Sequence, residues 1–470
     1  MQILKRLTAA CFLFVIAGAA LAQNLPPVVS DALKKAEIPP YAIGVYVQQV
    51  DGGPVMTASN WGAPLSPAST MKLVTTGAAL DILGPAFTWK TQAYADGRQA
   101  GEVLHGDLII KGSGDPKLVV ENLWLFLRRI RAQGIREIRG NLLLDRSAFE
   151  EAAYDPASFD NDPLKPYNAG PDALLLNYKA LSFRFVPDQT AGLVRLTMEP
   201  PVDGFPVHSP SLANGECGDW RARLQPEFNG EGARFDGVFS TACGEKAWFI
   251  HPYQMTHAQY FGGVFRRIWA ELGGTLTGEV RSGIVPPTAR LVTEWQSPPL
   301  SEIIRDINKY SNNVMARQLL LTIGNQALQL PATPERGAAV VKRWLAKKRI
   351  EAPELAIDNG SGLSRTERIS ALTLGHLLAA AYQSPTMPEF IASMPLIGLD
   401  GTMRKRLTMQ TVAGNGHIKT GTLEGVRAIA GYVLGASGKR YVVVFLINHR
   451  NAERGQQAQD ALLQWVFERG

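Results

Sequence analysis

The chain has 470 residues, of which 46% are hydrophobic and 19% are charged, and its formal net charge is +6. This is the composition of a globular protein. It excludes a dedicated nucleic-acid-binding arm, an acidic disordered chain and a protein with many membrane spans. The length suggests about three domains, or one domain with a long insertion.

The first 22 residues have the pattern of a secretory signal peptide. Lys5 and Arg6 form a basic start, Cys11 to Ala20 an apolar core, and Ala20-Leu21-Ala22 a small-residue cleavage site before Gln23. The alternative is an uncleaved membrane anchor, which the shortness of the apolar run disfavours. We therefore predict a protein exported to the periplasm, without a membrane span after cleavage.

Two cysteines, Cys217 and Cys243, remain after the predicted cleavage. An even pair in an oxidising compartment predicts one disulfide. The seven histidines are scattered and none shows the spacing of metal ligands. We therefore expect no metal and no cofactor.

The predicted elements are of two kinds. A short helix, a strand and a helix that is apolar nearly all round come first, over 28–35, 41–50 and 69–83. The middle of the chain, about 93–282, predicts many short strands between turns. Helical spacing then returns from Leu300 onward, and the end predicts two strands and a packed helix, over 428–434, 441–447 and 452–467. The outer parts together indicate helices on an antiparallel sheet.

The segment Ser69-Thr70-Met71-Lys72 opens the apolar helix. Residues three apart share a helix face, so we expect Lys72 beside Ser69. Burial disfavours the charged form of a lysine, and a neutral amine can take the proton of a serine nucleophile. The alternative is a helix-capping serine with a lysine in solvent. No other Ser-x-x-Lys occurs in the chain.

Two further motifs follow. Ser311-Asn312-Asn313 lies between helical stretches and offers a hydroxyl for proton relay and an amide for a substrate carbonyl, although a helix-capping turn is the alternative. Lys419-Thr420-Gly421 and the following Thr422 lie on a predicted strand. Lysine and threonine can bind a carboxylate, and glycine lets a ligand lie along the strand. The alternative there is a strand end with a solvated lysine.

The three motifs, in this order, match the signature of the serine penicilloyl transferases, which attack a D-alanyl-D-alanine peptide or a β-lactam. The chain resembles the class C low-molecular-mass penicillin-binding proteins of the penicillin-binding protein 4 type, which are D-alanyl-D-alanine carboxypeptidases and endopeptidases. The resemblance covers essentially the whole mature chain. Roughly half of the chain separates Ser69 from Ser311, and this family has two extra domains there, one inserted into the other.

The resemblance implies an α+β fold. Residues 23–92 and 283–470 would form a serine β-lactamase/transpeptidase-like catalytic domain, an antiparallel sheet covered by helices. Residues 93–170 and 248–282 would form an inserted domain II, and residues 171–247 an inserted domain III. Both inserted domains would be rich in strands.

The resemblance also implies a role for each motif residue. Ser69 would be the acylated nucleophile and Lys72 its base. Ser311 would relay the proton to the leaving D-alanine, and Asn313 would hold the peptide carbonyl. Lys419 and Thr420 would bind the terminal carboxylate of the substrate. The N–H groups of Ser69 and Thr422 would bind the oxyanion, and Gly421 lies between Thr420 and Thr422.

Two other segments resemble parts of the family site. Asp162, in Asp160-Asn161-Asp162-Pro163, aligns loosely with an acidic residue that binds the free amine of diaminopimelate, and a turn-forming aspartate is an equal alternative. Tyr167 is a weaker candidate for the apolar wall of that pocket. Residues 358–365 are similar to a family signature, and we interpret them as a structural loop that depends on glycine.

The expected partners are peptidoglycan peptides as substrates and β-lactams as covalent inhibitors, with no nucleic acid. Nothing resembles the deacylating glutamate of β-lactamases, so we expect penicillin to leave the enzyme slowly. A β-lactamase or esterase of the same fold, and a non-catalytic peptidoglycan-binding protein, are the rival hypotheses. The sequence leaves open the balance of carboxypeptidase and endopeptidase activity and the oligomeric state.

Overall fold

The computed structural model describes residues 25–470, so the predicted signal peptide lies outside the described residues. The α-helices of this range are α1 (Pro27–Lys35), α2 (Met71–Leu83), α3 (Val120–Ala132), α4 (Trp220–Arg223), α5 (His257–Glu271), α6 (Leu300–Lys309), α7 (Asn313–Leu328), α8 (Pro334–Lys347), α9 (Ala371–Tyr382), α10 (Met387–Ala392) and α11 (Gln456–Arg469).

The strands of the same range belong to five sheets. They are β1 (Ile43–Gln49), β2 (Val55–Ser59), β3 (Lys90–Ala100), β4 (Val103–Lys111), β5 (Glu137–Ile138), β6 (Leu142–Asp145), β7 (Leu181–Asp188), β8 (Leu193–Glu199), β9 (Val207–His208), β10 (Ser211–Ala213), β11 (Pro226–Phe228), β12 (Ala233–Phe235), β13 (Val238–Ser240), β14 (Lys246–Ile250), β15 (Thr275–Leu276), β16 (Val280–Ser282), β17 (Arg290–Gln296), β18 (Gly416–Leu423), β19 (Val426–Leu434) and β20 (Arg440–Asn448).

The first and last strands of the chain form one five-stranded antiparallel sheet in the order β18-β19-β20-β1-β2. Successive side chains of a strand point to opposite faces. Val45 and Val47 accordingly pack with α1 and α11 on one face, and Tyr46 between them packs toward α2 and α9 on the other. Helices therefore cover both faces, and the predicted α+β architecture is confirmed.

Helix α2 is the central helix of this layer. Residues 71–80 are all buried, because the helix packs among α6, α7, α8 and the sheet-covering helices. The helix ends at Gly84, whose φ of 85° belongs to the left-handed region that favours glycine. The all-round apolar pattern thus had the expected consequence, a helix in the centre of the core.

A second, seven-stranded mixed sheet contains β3, β4, β5, β6, β15, β16 and β17. Strand β17 pairs antiparallel with β3. The segment that follows α2 and the segment that precedes α6 therefore lie side by side in this second sheet. Three smaller sheets follow, with the orders β14-β7-β8, β11-β12-β9 and β10-β13. The disulfide between Cys217 and Cys243 lies in this part of the chain, with an S–S distance of 2.11 Å, as the sequence predicted.

The middle of the chain is less purely strand-rich than expected. It holds the 13-residue helix α3 and the 15-residue helix α5, and a long hairpin of β3 and β4. The signal for α3 was present, because Leu123, Phe126, Leu127 and Ile130 recur at helical spacing and are buried. The final helix packs through Val466 into the core beneath the first sheet, and no helix of the described residues could cross a membrane.

Candidate active site

Ser69 lies in a short 3-10 turn, Ala68–Thr70, directly before α2. Ala68 has a φ of 43°, and the Thr70 hydroxyl donates to the Pro67 carbonyl oxygen at 2.8 Å, so the turn is held tightly. Ala68 and Thr70 are buried, whereas Ser69 is half-buried. The turn therefore presents the Ser69 hydroxyl at the end of the most buried helix of the molecule.

Lys72 lies one turn further on and is completely buried. Its Nζ donates to Ser69 Oγ at 3.0 Å, to Asn313 Oδ1 at 2.5 Å and to the carbonyl oxygen of Ser361. Burial, assisted by the positive charge of Lys419, lowers the pKa of Lys72 well below its ordinary value. The predicted contact between Ser69 and a lysine that readily loses its charge is present.

The second motif connects α6 to α7. Asn312 caps α7 by accepting the Met315 N–H at 3.0 Å, so the capping alternative is right for this residue. The residues on either side of it make other contacts. Ser311, with a φ of 58°, accepts a hydrogen bond from Lys419, and the side-chain oxygen of Asn313 accepts one from Lys72. Because Asn313 uses its carbonyl oxygen for Lys72, its amide N–H₂ is the end left for a peptide carbonyl.

The third motif lies on β18, the edge strand of the five-stranded sheet. Lys419 is fully buried, and its Nζ donates to Ser311 Oγ at 3.0 Å and to the Thr420 carbonyl oxygen at 2.6 Å. Burial lowers the pKa of Lys419 to about 7. Because β18 has a neighbour on one side only, alternate backbone groups of Lys419 to Thr422 are left for a ligand.

Two glycines let this strand and a loop approach Ser69. A Cβ on Gly421 would lie 2.9 Å from the Ser69 backbone nitrogen and 2.8 Å from the Pro67 carbonyl oxygen. A Cβ on Gly362 would lie 1.9 Å from the Ala68 carbonyl oxygen. Real side chains do not fit at such distances, so only glycine permits this packing. The N–H groups of Ser69 and Thr422 are thereby held on neighbouring segments.

The loop 358–365 is a structural loop, as expected, and it is held by a residue that the sequence analysis missed. Glu367 is 1% exposed and accepts four backbone N–H groups, from Asp358, Asn359, Gly360 and Gly362, at 2.7–3.2 Å. Burial raises the pKa of its carboxyl. The loop so shaped turns the Ser361 carbonyl oxygen toward Lys72. An acidic residue just after a glycine-rich loop was the available signal.

Thr402 was also missed. Its hydroxyl accepts from Thr420 Oγ1 at 2.7 Å, and it comes from a 3-10 turn far from Thr420 in sequence. No motif marks it.

A cavity of about 340 Å³ lies against the loop 358–365, whose Ser361 carbonyl oxygen contacts Lys72, and none of the motif residues is in its wall. Its wall includes Tyr154, Phe159, Arg317, Ser364 and Arg365, so it lies between α7, the loop 358–365 and the inserted part of the chain. Asp162 is not in its wall; its carboxylate lies 3.5 Å from the Lys165 ammonium, and neither contacts the motif residues. Tyr167 donates its hydroxyl to Asp160 at 2.7 Å. The diaminopimelate role of Asp162 stays a prediction.

Two serine–lysine contacts beside an open strand edge are suited to forming and hydrolysing an acyl-serine, the chemistry of the serine penicilloyl transferases. The model of the D-Ala-D-Ala carboxypeptidase 3 (S13) family matches residues 25–468. The chain belongs to this family, and it is a hydrolase of the D-Ala-D-Ala carboxypeptidase class.

Individual relatives agree. The chain is 30% identical over 418 residues to a D-alanyl-D-alanine carboxypeptidase of Actinomadura sp. (strain R39), covering 84% of this chain and 76% of that protein. It is 25% identical to D-alanyl-D-alanine carboxypeptidase DacB of Haemophilus influenzae, covering 86% and 85%. The crystal structure of penicillin-binding protein 4 (dacB) from Haemophilus influenzae superposes with a TM-score of 0.78 at 23% identity, covering 94% and 99%, and it has also been solved with a β-lactam.

Proposed function

We propose that this protein removes the terminal D-alanine from peptidoglycan stem peptides and cleaves D-alanyl cross-links, through an acyl-enzyme on Ser69. The observation that carries the proposal is the hydrogen bond between Ser69 Oγ and the buried Lys72 amine, 3.0 Å long. The lowered pKa of Lys72 favours the neutral form of its amine, and the neutral amine can accept the Ser69 proton.

In the proposed first half-reaction, Ser69 Oγ attacks the carbonyl carbon of the penultimate D-alanine and its proton passes to Lys72. The carbonyl oxygen becomes an oxyanion, which the N–H groups of Ser69 and Thr422 stabilise. The C–N bond then breaks, and the proton that Lys72 accepted passes through Ser311 to the nitrogen of the leaving D-alanine, so that Lys72 is neutral again. In the second half-reaction water attacks the carbonyl carbon of the ester and loses a proton to Lys72. The bond to Ser69 Oγ then breaks, Ser69 takes this proton back from Lys72, and the shortened peptide leaves as the free acid.

Substrate binding is assigned to the remaining motif residues. The Asn313 amide would donate to the peptide carbonyl. Lys419 and Thr420 would bind the terminal carboxylate, and Gly421 would let the peptide lie against β18. Asp162 would bind the free amine of the diaminopimelate side chain. This assignment for Asp162 is the least supported, because its carboxylate already pairs with Lys165.

We propose the same chemistry for β-lactams, whose strained amide would acylate Ser69 and form a slowly hydrolysed adduct. A β-lactamase is the second candidate function, since the same acyl-serine would form in it and hydrolyse rapidly. We further propose export to the periplasm after cleavage before Gln23.

The domain organisation is also a proposal. The pairing of β3 with β17 favours an inserted domain II that begins near Lys90 and ends near Gln296, slightly wider than the sequence boundaries. The pairing of β14 with β7 favours an inserted domain III that includes residues 246–250 as well as 171–245.

Intact mass after incubation with benzylpenicillin tests the mechanism, with Ser69→Ala and the surface variant Ser437→Ala as a matched pair. We expect one stable adduct on the wild type and on Ser437→Ala, and none on Ser69→Ala. An adduct on Ser69→Ala would contradict the assignment. Absence of any adduct with intact penicillin would favour a binding protein, and absence with hydrolysed penicillin would favour a β-lactamase.

A further inference from the structure

A second and larger cavity, of about 610 Å³, lies in the inserted part of the chain. Tyr154 and Pro171 line both this cavity and the smaller one beside the active site. The two spaces therefore adjoin at Tyr154, whose ring lies 5.7 Å from the Arg317 guanidinium. The smaller cavity lies against the loop 358–365, which contacts Lys72 through the Ser361 carbonyl oxygen, so the two cavities together extend from that loop into the inserted part.

The larger cavity contains an ammonium group without a partner. Lys179 is 5% exposed and lines the cavity. Within residues 25–470, no hydrogen bond and no carboxylate oxygen within 4 Å is found for its Nζ, in contrast to the three acceptors of Lys72. The ammonium of this largely buried side chain has no acceptor from the protein, so an acceptor supplied by a ligand in the cavity would be bound favourably.

The other charged groups of the cavity are already paired. Arg146 lies 3.4 Å from the Asp172 carboxylate and 2.5 Å from that of Glu151. Asp172 also accepts the Leu174 N–H at 2.8 Å. Burial lowers the pKa of Lys179 to about 8, while the Asp172 carboxylate acts in the opposite direction. Lys179 is thus still charged at neutral pH, and its charge is the one left for a ligand.

The N-terminus of α5 opens into the same cavity. Met255, Thr256 and His257 belong to the wall, and α5 starts at His257. The Thr256 side chain and Gln259 form a capping box, which uses the N–H groups of Thr256 and Gln259. The N–H groups of His257 and Ala258 point in the same direction and have no partner within the helix, and the helix dipole favours an anion there.

We propose that this cavity is an anion subsite, in which Lys179 and the N-terminus of α5 bind a carboxylate that the substrate peptide carries away from the scissile bond. The inference rests on the proposed function, because it takes the bound peptide to extend from Ser69. A carboxylate suits the site because it has two oxygens, one for the ammonium and one for the N–H groups of the helix.

Two synthetic pentapeptides that end in D-Ala-D-Ala test the subsite. They are identical except that a γ-linked D-glutamate residue carries its α-carboxylate free in one and as a carboxamide in the other. The variants are Lys179→Met and, as the control on β14 outside the cavity wall, Lys246→Met. The measurements are kcat/KM for D-alanine release and the rate of acylation by benzylpenicillin, which has no γ-linked D-glutamate residue.

We expect the wild type and Lys246→Met to prefer the carboxylate peptide at least about tenfold, the usual effect of a charge-assisted hydrogen bond. Lys179→Met should lose this preference through a lower kcat/KM for the carboxylate peptide alone, with penicillin acylation unchanged. Inorganic phosphate should raise KM for the carboxylate peptide in the wild type and in Lys246→Met, but not in Lys179→Met.

Three results overturn the subsite: no preference in the wild type, a preference retained in Lys179→Met, or an equal loss for both peptides with normal penicillin acylation. Should Lys179→Met fail to fold, the wild-type preference and its response to phosphate decide the matter without it. Failure of the proposed function looks different, since the wild type would then release no D-alanine from either peptide and bind no penicillin.

Discussion

The proposed acylation centre around Ser69 and the cavity around Lys179 each contain a buried lysine, and the two lysines differ in their hydrogen-bond acceptors. Lys72 donates to three oxygens, which come from the turn before α2, from α7 and from the loop 358–365. Lys179 is influenced by the Asp172 carboxylate but has no hydrogen-bond acceptor among the described residues. Burial lowers the pKa of both amines. The protein itself therefore supplies the acceptors of Lys72, whereas in the proposed subsite the substrate supplies the acceptor of Lys179.

This difference separates residues that carry out the reaction from a residue that selects the substrate. The reaction rate at a preorganised catalytic centre falls sharply when one of its groups is removed, because the remaining groups cannot substitute for it. An incomplete site affects only those substrates that fill it.

Lys72→Met should lower the rate of benzylpenicillin acylation by at least about three orders of magnitude, because the base is lost while the side-chain volume is kept. Stopped-flow measurement or intact mass over time would give the rate. Lys179→Met is the matched control, a buried lysine outside the chemistry, and should acylate normally. A comparable loss in both variants would remove the distinction between the two sites.

Removal of the disulfide by Cys217→Ser together with Cys243→Ser should lower the free energy of unfolding by about 3 kcal/mol, as expected for a cross-link that closes a loop of this size. Chemical denaturation would measure it. The acylation rate of the folded protein should not change, because the disulfide lies among the small sheets. A slower acylation below the unfolding transition would show that the two regions are coupled.

Gly421→Val should reduce acylation about a hundredfold, because a side chain there collides with the backbone of Pro67 and Ser69 and moves the nucleophile. Gly62→Ala is the control, since a Cβ on Gly62 meets nothing within 4 Å. Near-normal acylation by Gly421→Val would contradict the close packing of β18 against Ser69.

Carboxypeptidase activity should fall as the pH rises through about 7, because Lys419 then loses the charge that binds the terminal carboxylate. The value of kcat/KM for a D-Ala-D-Ala peptide, measured from pH 5 to 9, would show the falling limb. Lys419→Arg keeps its charge over this range and should lack that limb, even if its activity is lower. The same limb in Lys419→Arg would assign it to another group.

Lys179→Met should raise the free energy of unfolding by about 1 kcal/mol, since it removes a buried charge that lacks an acceptor. Denaturation at pH 7 in a buffer without phosphate would measure this gain. Lys246→Met, at a half-buried strand position, should be close to neutral. A destabilised Lys179→Met would indicate that the ammonium already has a stabilising partner in the free protein.

The residues proposed for the reaction, and the local structure around them, could be predicted from the sequence alone. The spacing of Ser69 and Lys72 on a helix, the two residues either side of Asn312, and the strand position of Lys419 all follow from short-range geometry, because the partners are close in sequence or the element type is encoded locally. The central position of α2 and the packed C-terminal helix were predictable for the same reason, whereas the disulfide followed from an even pair of cysteines in an exported chain.

The tertiary structure decided everything that depends on residues distant in the chain. The loop 358–365 contacts Lys72, Thr402 contacts Thr420, and β3 pairs with β17. Lys179 lies in a run of three residues with positive φ and no motif marks it. These features were not readable because non-local contacts are set by the packing of whole elements, and a local pattern holds no record of which surfaces will meet.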